Sequence, residues 1–151
     1  MLKFYKEILG NHVHSRRTIN KEVIERGPVL TAKQQIHMCK KFTDKEIKEA
    51  IFSIINVKSP GPDVYSSGFF KSTWLLISPM VCVAVQDFFT TGIMPSYISA
   101  TKLVVLPKAS HPQSASEFRL ISCCNALYKC ILKSLCQRIK EALPSLINQY
   151  Q

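Results

Sequence analysis

Lys108 and Arg119 are the side chains on which chemistry can be built. Lys108 stands behind the apolar run Leu103 to Leu106, which Pro107 ends because proline brings no N–H to a strand ladder. Arg119 lies in a second short run, Phe118 to Ser122. Between them, Ala109 to Ser116 is built from Ser, His, Pro, Gln and Ala, the composition of a connection that neither packs nor pairs. Two runs and a turn predict a β-hairpin, with Phe118, Leu120 and Ser122 on one face and Arg119 and Ile121 on the other. Lys108 and Arg119 then meet across the pair, and two cations at the rim of a small sheet form an anion site. A surface hairpin can also carry such charges for solubility alone.

Helices must position this hairpin. Thr43 with Glu46 reads as a capping box, and Ile47, Ala50, Ile51 and Ile54 form one apolar stripe behind it, so a helix is predicted from Thr43 to Ile54. Lys58-Ser-Pro-Gly-Pro-Asp-Val64 reads as a rigid turn, with Asp63 capping a helix that begins near Val64 to Ser67 and presents Phe69, Phe70, Thr73, Trp74 and Ile77. Ser78-Pro79 is expected to start the next helix and Gly92 to end it, with Val81, Val85, Phe88 and Phe89 inward. After the hairpin, Asn125 is expected to cap a helix reaching about Ala142, with Pro144 beyond it. Its apolar stripe is Leu127, Ile131, Leu135, Ile139 and Leu143; Lys129, Lys133 and Lys140, with Gln137 between and Arg138 at the edge, form a basic stripe on another face. Such a stripe is either a solvated surface or the wall of a groove that contacts phosphates without base specificity. At the N-terminus, Leu2, Tyr5, Ile8 and Leu9 predict a short helix ending at Gly10-Asn11. The fold class is therefore α+β, mostly helical, with one hairpin.

A chain of 151 residues with 46% hydrophobic content can bury one ordinary core. The net charge of +10 argues for a polyanionic partner. Residues 1–41 carry nine Lys/Arg against three Glu, 42–100 four against five acids, and 101–151 seven against two. Residues 1–41 read as a basic arm or linker, with a weak helical possibility at Lys21 to Arg26, and 42–151 as the folded domain. No long apolar run marks a signal peptide or approaches bilayer length, and six cysteines without that leader suggest reduced thiols, so an intracellular protein, nuclear or cytoplasmic and away from membranes, is expected.

Two clusters resemble metal sites and are better explained otherwise. His12-x-His14 and His37-x-Cys39 lack the spacing of zinc pairs and lie among Arg16, Arg17, Lys40 and Lys41. Asp44, Glu46 and Glu49 sit in the first turns of a helix, where its dipole favours acids. No metal site and no catalytic residue is assigned.

The order Pro60-Gly-Pro-Asp63, a strand ending Leu106-Pro-Lys108, then Phe118-Arg-Leu-Ile-Ser122 and Tyr128-Lys129 before a basic helix resembles the reverse transcriptase of non-LTR (LINE-type) retrotransposons, plant members most of all. The resemblance runs from about Phe42 to Gln151, with a weaker echo in Phe4-Tyr5-Lys6. It implies part of the fingers of a right-hand RNA-directed DNA polymerase, with RNA/DNA template-primer and dNTP as partners. Arg119 matches the fingers arginine that contacts the incoming triphosphate, and Lys108 matches the lysine at the preceding strand end. A guanidinium fork can donate two parallel hydrogen bonds to phosphate oxygens, and lysine serves as a mobile point charge. Lys58, Lys129, Lys133 and Lys140 are the implied nucleic-acid contacts.

Two positions depart from the family pattern: Val64 stands where PGPDG has its last glycine, and Leu120 where FRPIS has proline. A glycine in such a turn often serves a positive φ that valine tolerates poorly. The family's catalytic aspartates, which hold two Mg2+ ions, belong to later motifs, and the three aspartates here, 44, 63 and 87, include no adjacent pair. The expectation is a truncated or decayed fingers segment with no cofactor of its own, whose uncharged central helix leaves an apolar face for association. A small basic nucleic-acid-binding protein is the alternative reading, and a helical protein-interaction module the third.

Overall fold

The computed structural model describes residues 2–10 and 20–147. Its order is α1 (Leu2–Gly10), α2 (Lys21–Glu25), α3 (Ala32–Cys39), α4 (Asp44–Phe52), α5 (Ser67–Ser72), α6 (Trp74–Thr91), α7 (Ser96–Ser99), β1 (Thr101–Pro107), β2 (Phe118–Cys124) and α8 (Ala126–Leu146). The fold is α+β and mostly helical, and β1 and β2 form its two-stranded sheet. Two compact units divide the chain: Met1–Pro28 with Val104–Ile121, and Val29–Leu103 with Ser122–Gln151.

The second unit holds the core, built on α4. Thr43 caps α4 as expected: its N–H and hydroxyl donate to Glu46 Oε2 at 2.8 and 2.9 Å, and the Glu46 N–H returns to Thr43 Oγ1 at 3.3 Å. Ile47, Ala50 and Ile51 are fully buried against Phe70, Trp74, Val81, Cys82, Val85, Ala126, Cys130 and Ile131. Phe42 stacks on Phe89 with ring centroids 3.9 Å apart.

The helix α8 turns toward α4 a face that differs from the expected one. Ala126, Cys130, Ile131, Ser134, Arg138 and Ala142 are buried, whereas Leu135 and Leu143 of the anticipated leucine stripe are exposed. The small side chains of Ala126, Cys130, Ser134 and Ala142 let the helix backbones come close, which larger leucine and isoleucine side chains at those positions would hold apart.

Both expected proline boundaries are corrected. Helix α6 starts at Trp74 and runs through Pro79, and α8 continues through Pro144 to Leu146. Gly92, at φ 71°, does end α6. Running through Pro79 makes α6 18 residues long with mean hydropathy 1.4, long and apolar enough to cross a membrane by length and composition, which corrects the reading that no stretch approached that length. Val81, Cys82 and Val85 are buried along it, while Leu75, Leu76, Met80 and Val83 on its other face are exposed.

The segment read as an aperiodic arm contains α3, capped by Thr31 and Gln34 in a second capping box, and the short α2. No residue of α3 is buried, so it left no apolar period to read.

Candidate nucleic-acid interface

The hairpin forms where the two apolar runs predicted it. Its register pairs Thr101 with Cys124 and Pro107 with Phe118, and continues through the Lys108 N–H, which donates to the Glu117 carbonyl at 2.7 Å. By that register Arg119 faces Leu106, and Lys108 and Arg119 occupy one face as diagonal neighbours, a separation of about 7–8 Å between such positions. Both side chains are exposed, and Phe118 and Leu120 are half-buried on the opposite face, as the alternation predicted. The Lys108 ammonium donates to the Ser116 carbonyl at 2.7 Å, which turns it along the connecting loop.

That loop does pack, contrary to expectation. Ala115–Glu117 is a 3-10 turn, the Gln113 N–H donates to Glu117 Oε2 at 2.6 Å, and the Tyr5 hydroxyl of α1 lies 3.1 and 3.2 Å from the carbonyls of Ala115 and Phe118. An unaccompanied two-stranded hairpin is marginal in water, and Tyr5 supplies one outside hold on its tip.

In the second unit, the turn at Pro60–Asp63 is fixed by Asn125 rather than by a helix cap. Asn125 occupies the N-cap position of α8 without a side-chain capping bond. Its Nδ2 donates to the Tyr97 carbonyl at 2.7 Å, and its Oδ1 accepts from the Asp63 N–H at 3.3 Å. A Cβ on Gly61 would come within 2.0 Å of Asn125 Oδ1 and 2.6 Å of the Cys124 carbonyl carbon, so only glycine lets the turn lie against the start of α8. Ser66, not Asp63, caps α5, accepting from the Phe69 N–H at 3.3 Å; Asp63 accepts from the Tyr65 N–H at 3.1 Å within the turn. Val64 holds φ 59°, the positive φ that a glycine serves without strain.

Lys129 donates to the Ser59 carbonyl at 2.8 Å, and Lys58 and Lys129 line one narrow crevice with Pro60 and Tyr65. Lys133 and Lys140 are exposed farther along α8. These three positions fall within about 40° of one another around the helix and span about 16 Å of its axis.

Arg138 is no part of that stripe, which corrects its expected place at the edge. It is 3% exposed. Its Nη2 lies 2.9 Å from Glu46 Oε1, its Nε donates to the same oxygen at 3.0 Å, and its guanidinium lies 3.4 Å over the Phe42 ring. Further bonds reach the carbonyls of Met38 at 3.3 Å, Lys41 at 3.1 Å, and Lys40. Burial would raise the Glu46 carboxyl, but hydrogen bonds from Arg138 and Thr43, with the charge of Arg138, outweigh it and hold the group at about 2.

The thiols of this unit are reduced and two are chemically quiet. Burial pushes Cys130 up to about 12, and burial with the nearby Asp44 carboxylate pushes Cys82 up to about 11. Among the described residues no group of three His, Cys, Asp or Glu converges on a metal-sized site. His12 and His14 lie outside them, and His37 stands 3.2 Å from Glu141. Asp44 accepts from Gln86 at 2.9 Å, and Asp63 accepts from the Tyr65 N–H within its turn.

No family model matches the chain. Over 124 residues, 82% of its length, the chain is 25% identical to the Transposon TX1 uncharacterized 149 kDa protein of Xenopus laevis, and it spans 10% of that protein. The chain is thus similar to a transposon protein across most of its sequence.

Proposed function

We propose that this chain carries fingers elements of the RNA-directed DNA polymerase of a non-LTR retrotransposon, residues 42–151 being the polymerase portion. In this reading Lys108 and Arg119 contact nucleotide phosphates, and Lys58, Lys129, Lys133 and Lys140 contact the template-primer backbone. The observation that carries it is the hairpin register, which sets Lys108 and Arg119 on one exposed face; the likeness to a transposon protein supports the lineage. The role assigned is binding, with nucleotide addition left to carboxylates other than Asp44, Asp63 and Asp87.

Filter binding of a single-stranded RNA to the chain tests it. The Lys108→Ala, Arg119→Ala double variant is expected to weaken binding and to lower the slope of log affinity against log salt by about 1.4, at about 0.7 per lost phosphate contact. Unchanged affinity and slope remove the hairpin from the site.

A further inference from the structure

We infer that a groove between the α3–α4 junction and the C-terminal half of α8 is a second contact for the polynucleotide backbone, taking phosphodiesters of a single strand on Lys40, Lys41 and Lys140. The inference rests on the nucleic-acid reading above and extends it to lysines that the sequence placed in a linker.

The groove encloses about 540 Å³, and Lys40, Lys41, Lys140 and Gln137 line it. Of its three acids, Glu46 is neutralised from within by a close ion pair with Arg138. Glu49 lies 4.0 Å from Lys45, and Glu141 stands 3.2 Å from the His37 imidazole. Lys40, Lys41 and Lys140 are exposed, and among the described residues none of them enters an ion pair. The groove therefore offers three uncommitted cations.

Its floor is also fixed. Arg138 donates to the carbonyls of Lys40 and Lys41 themselves, so one buried guanidinium anchors the backbone that carries both lysines to α8. Lys40 and Lys41 project from a held main chain, which lowers the ordering cost of a contact. Lys140 belongs to the same helical stripe as Lys129 and Lys133, with Gln137 between stripe and floor, so the groove continues a row of cations along α8. No side chain here is positioned to read bases, and the ligand class is the sugar-phosphate backbone.

The test is fluorescence anisotropy of a labelled, unstructured single-stranded RNA titrated with the full chain at several salt concentrations. Lys40→Ala, Lys41→Ala and Lys140→Ala together are expected to lower the log–log salt slope by about 2, equally for two unrelated RNA sequences. Lys→Gln at the same sites, which keeps the side-chain stems, is expected to reproduce the loss and serves if the alanine variant folds poorly. Removing Lys33 of α3 and Lys48 of α4, exposed lysines outside the groove, is the charge control and should leave the slope unchanged. An unaltered slope in the triple variant while Lys108→Ala, Arg119→Ala lowers it overturns the groove and leaves the hairpin reading standing. An equal drop in the Lys33/Lys48 control also overturns the groove, since net charge then suffices. Failure of the intact chain to bind RNA at low salt overturns the nucleic-acid reading and the groove with it.

Discussion

Arg138 gives the sharpest residue-scale result. With a stripe of lysines beside it on α8, its charge pattern is that of a solvated cation; in the fold it is the most heavily bonded side chain of the helical unit. Nothing local in the sequence could reveal this, because its partner Glu46 lies 92 positions away. Arg138→Ala leaves the carbonyls of Met38, Lys40 and Lys41 and the partly exposed Glu46 carboxylate without their donor, so it is expected to cost about 1–3 kcal/mol in urea denaturation. A solvated Arg138 would cost under about 0.5 kcal/mol. Val64 shows the opposite case, a local rule read correctly: the turn does hold a positive φ there, in a β-branched residue. The left-handed region costs an L-residue about 1–2 kcal/mol, offset in part by glycine's extra freedom in the unfolded chain. Val64→Gly should therefore raise stability by about 0.5–1 kcal/mol, seen as a higher urea midpoint at constant m-value.

At the scale of elements, what was legible was what local chemistry dictates. The capping box of α4, the two strands and the glycine stop of α6 each arise from a few adjacent residues, and all three stand where those residues put them. The errors share a cause. Pro79 and Pro144 read as boundaries, yet both helices run through them; at Pro79 buried Trp74 on one side and buried Val81, Cys82 and Val85 on the other hold α6 to the core. Of the Leu127, Ile131, Leu135, Ile139 and Leu143 stripe read for α8, Ile131 is buried and Leu127 packs on the core, yet close approach to α4 selects Ala126, Cys130, Ser134 and Ala142 over Leu135 and Leu143. Helix α3 buries nothing, and the signal that could have found it was its Thr31-x-x-Gln34 box. The contact between the Pro60–Asp63 turn and the start of α8 is a tertiary fact with a one-residue signature, Gly61. Gly61→Ala must move Asn125 or the turn, and an expected loss of about 1–3 kcal/mol in thermal or urea unfolding would establish that the two segments are in register.

For the molecule as a whole, acid sensitivity follows from Glu46. Its carboxyl is held at about 2, against 4.5 when unpaired, so the folded state binds this proton less readily than the unfolded chain. The contribution is complete above about pH 4.5 and is lost as pH falls toward 2. Denaturation curves between pH 6 and 2 should show the intact chain losing stability through this window, and Glu46→Gln, already destabilised at neutral pH, losing less of it there. The candidate site was legible to a similar degree as the fold: the sequence located the hairpin cations and the α8 stripe, while Lys40 and Lys41 required the fold to bring α3 and α8 together.

The hairpin has a further consequence for handling the molecule. Among the described residues no third strand joins either margin of this ribbon, the Tyr5 hydroxyl bonding the Phe118 carbonyl on one of them, and Leu103, Val105, Leu106 and Ile121 are exposed along it. Copies that meet there add without closing, because every addition renews the margin. Mutual repulsion of Lys102, Lys108 and Arg119 opposes that growth, so the charges offered to a polyanion also keep the ribbons dispersed, and concentrated salt, by screening them, favours fibrils.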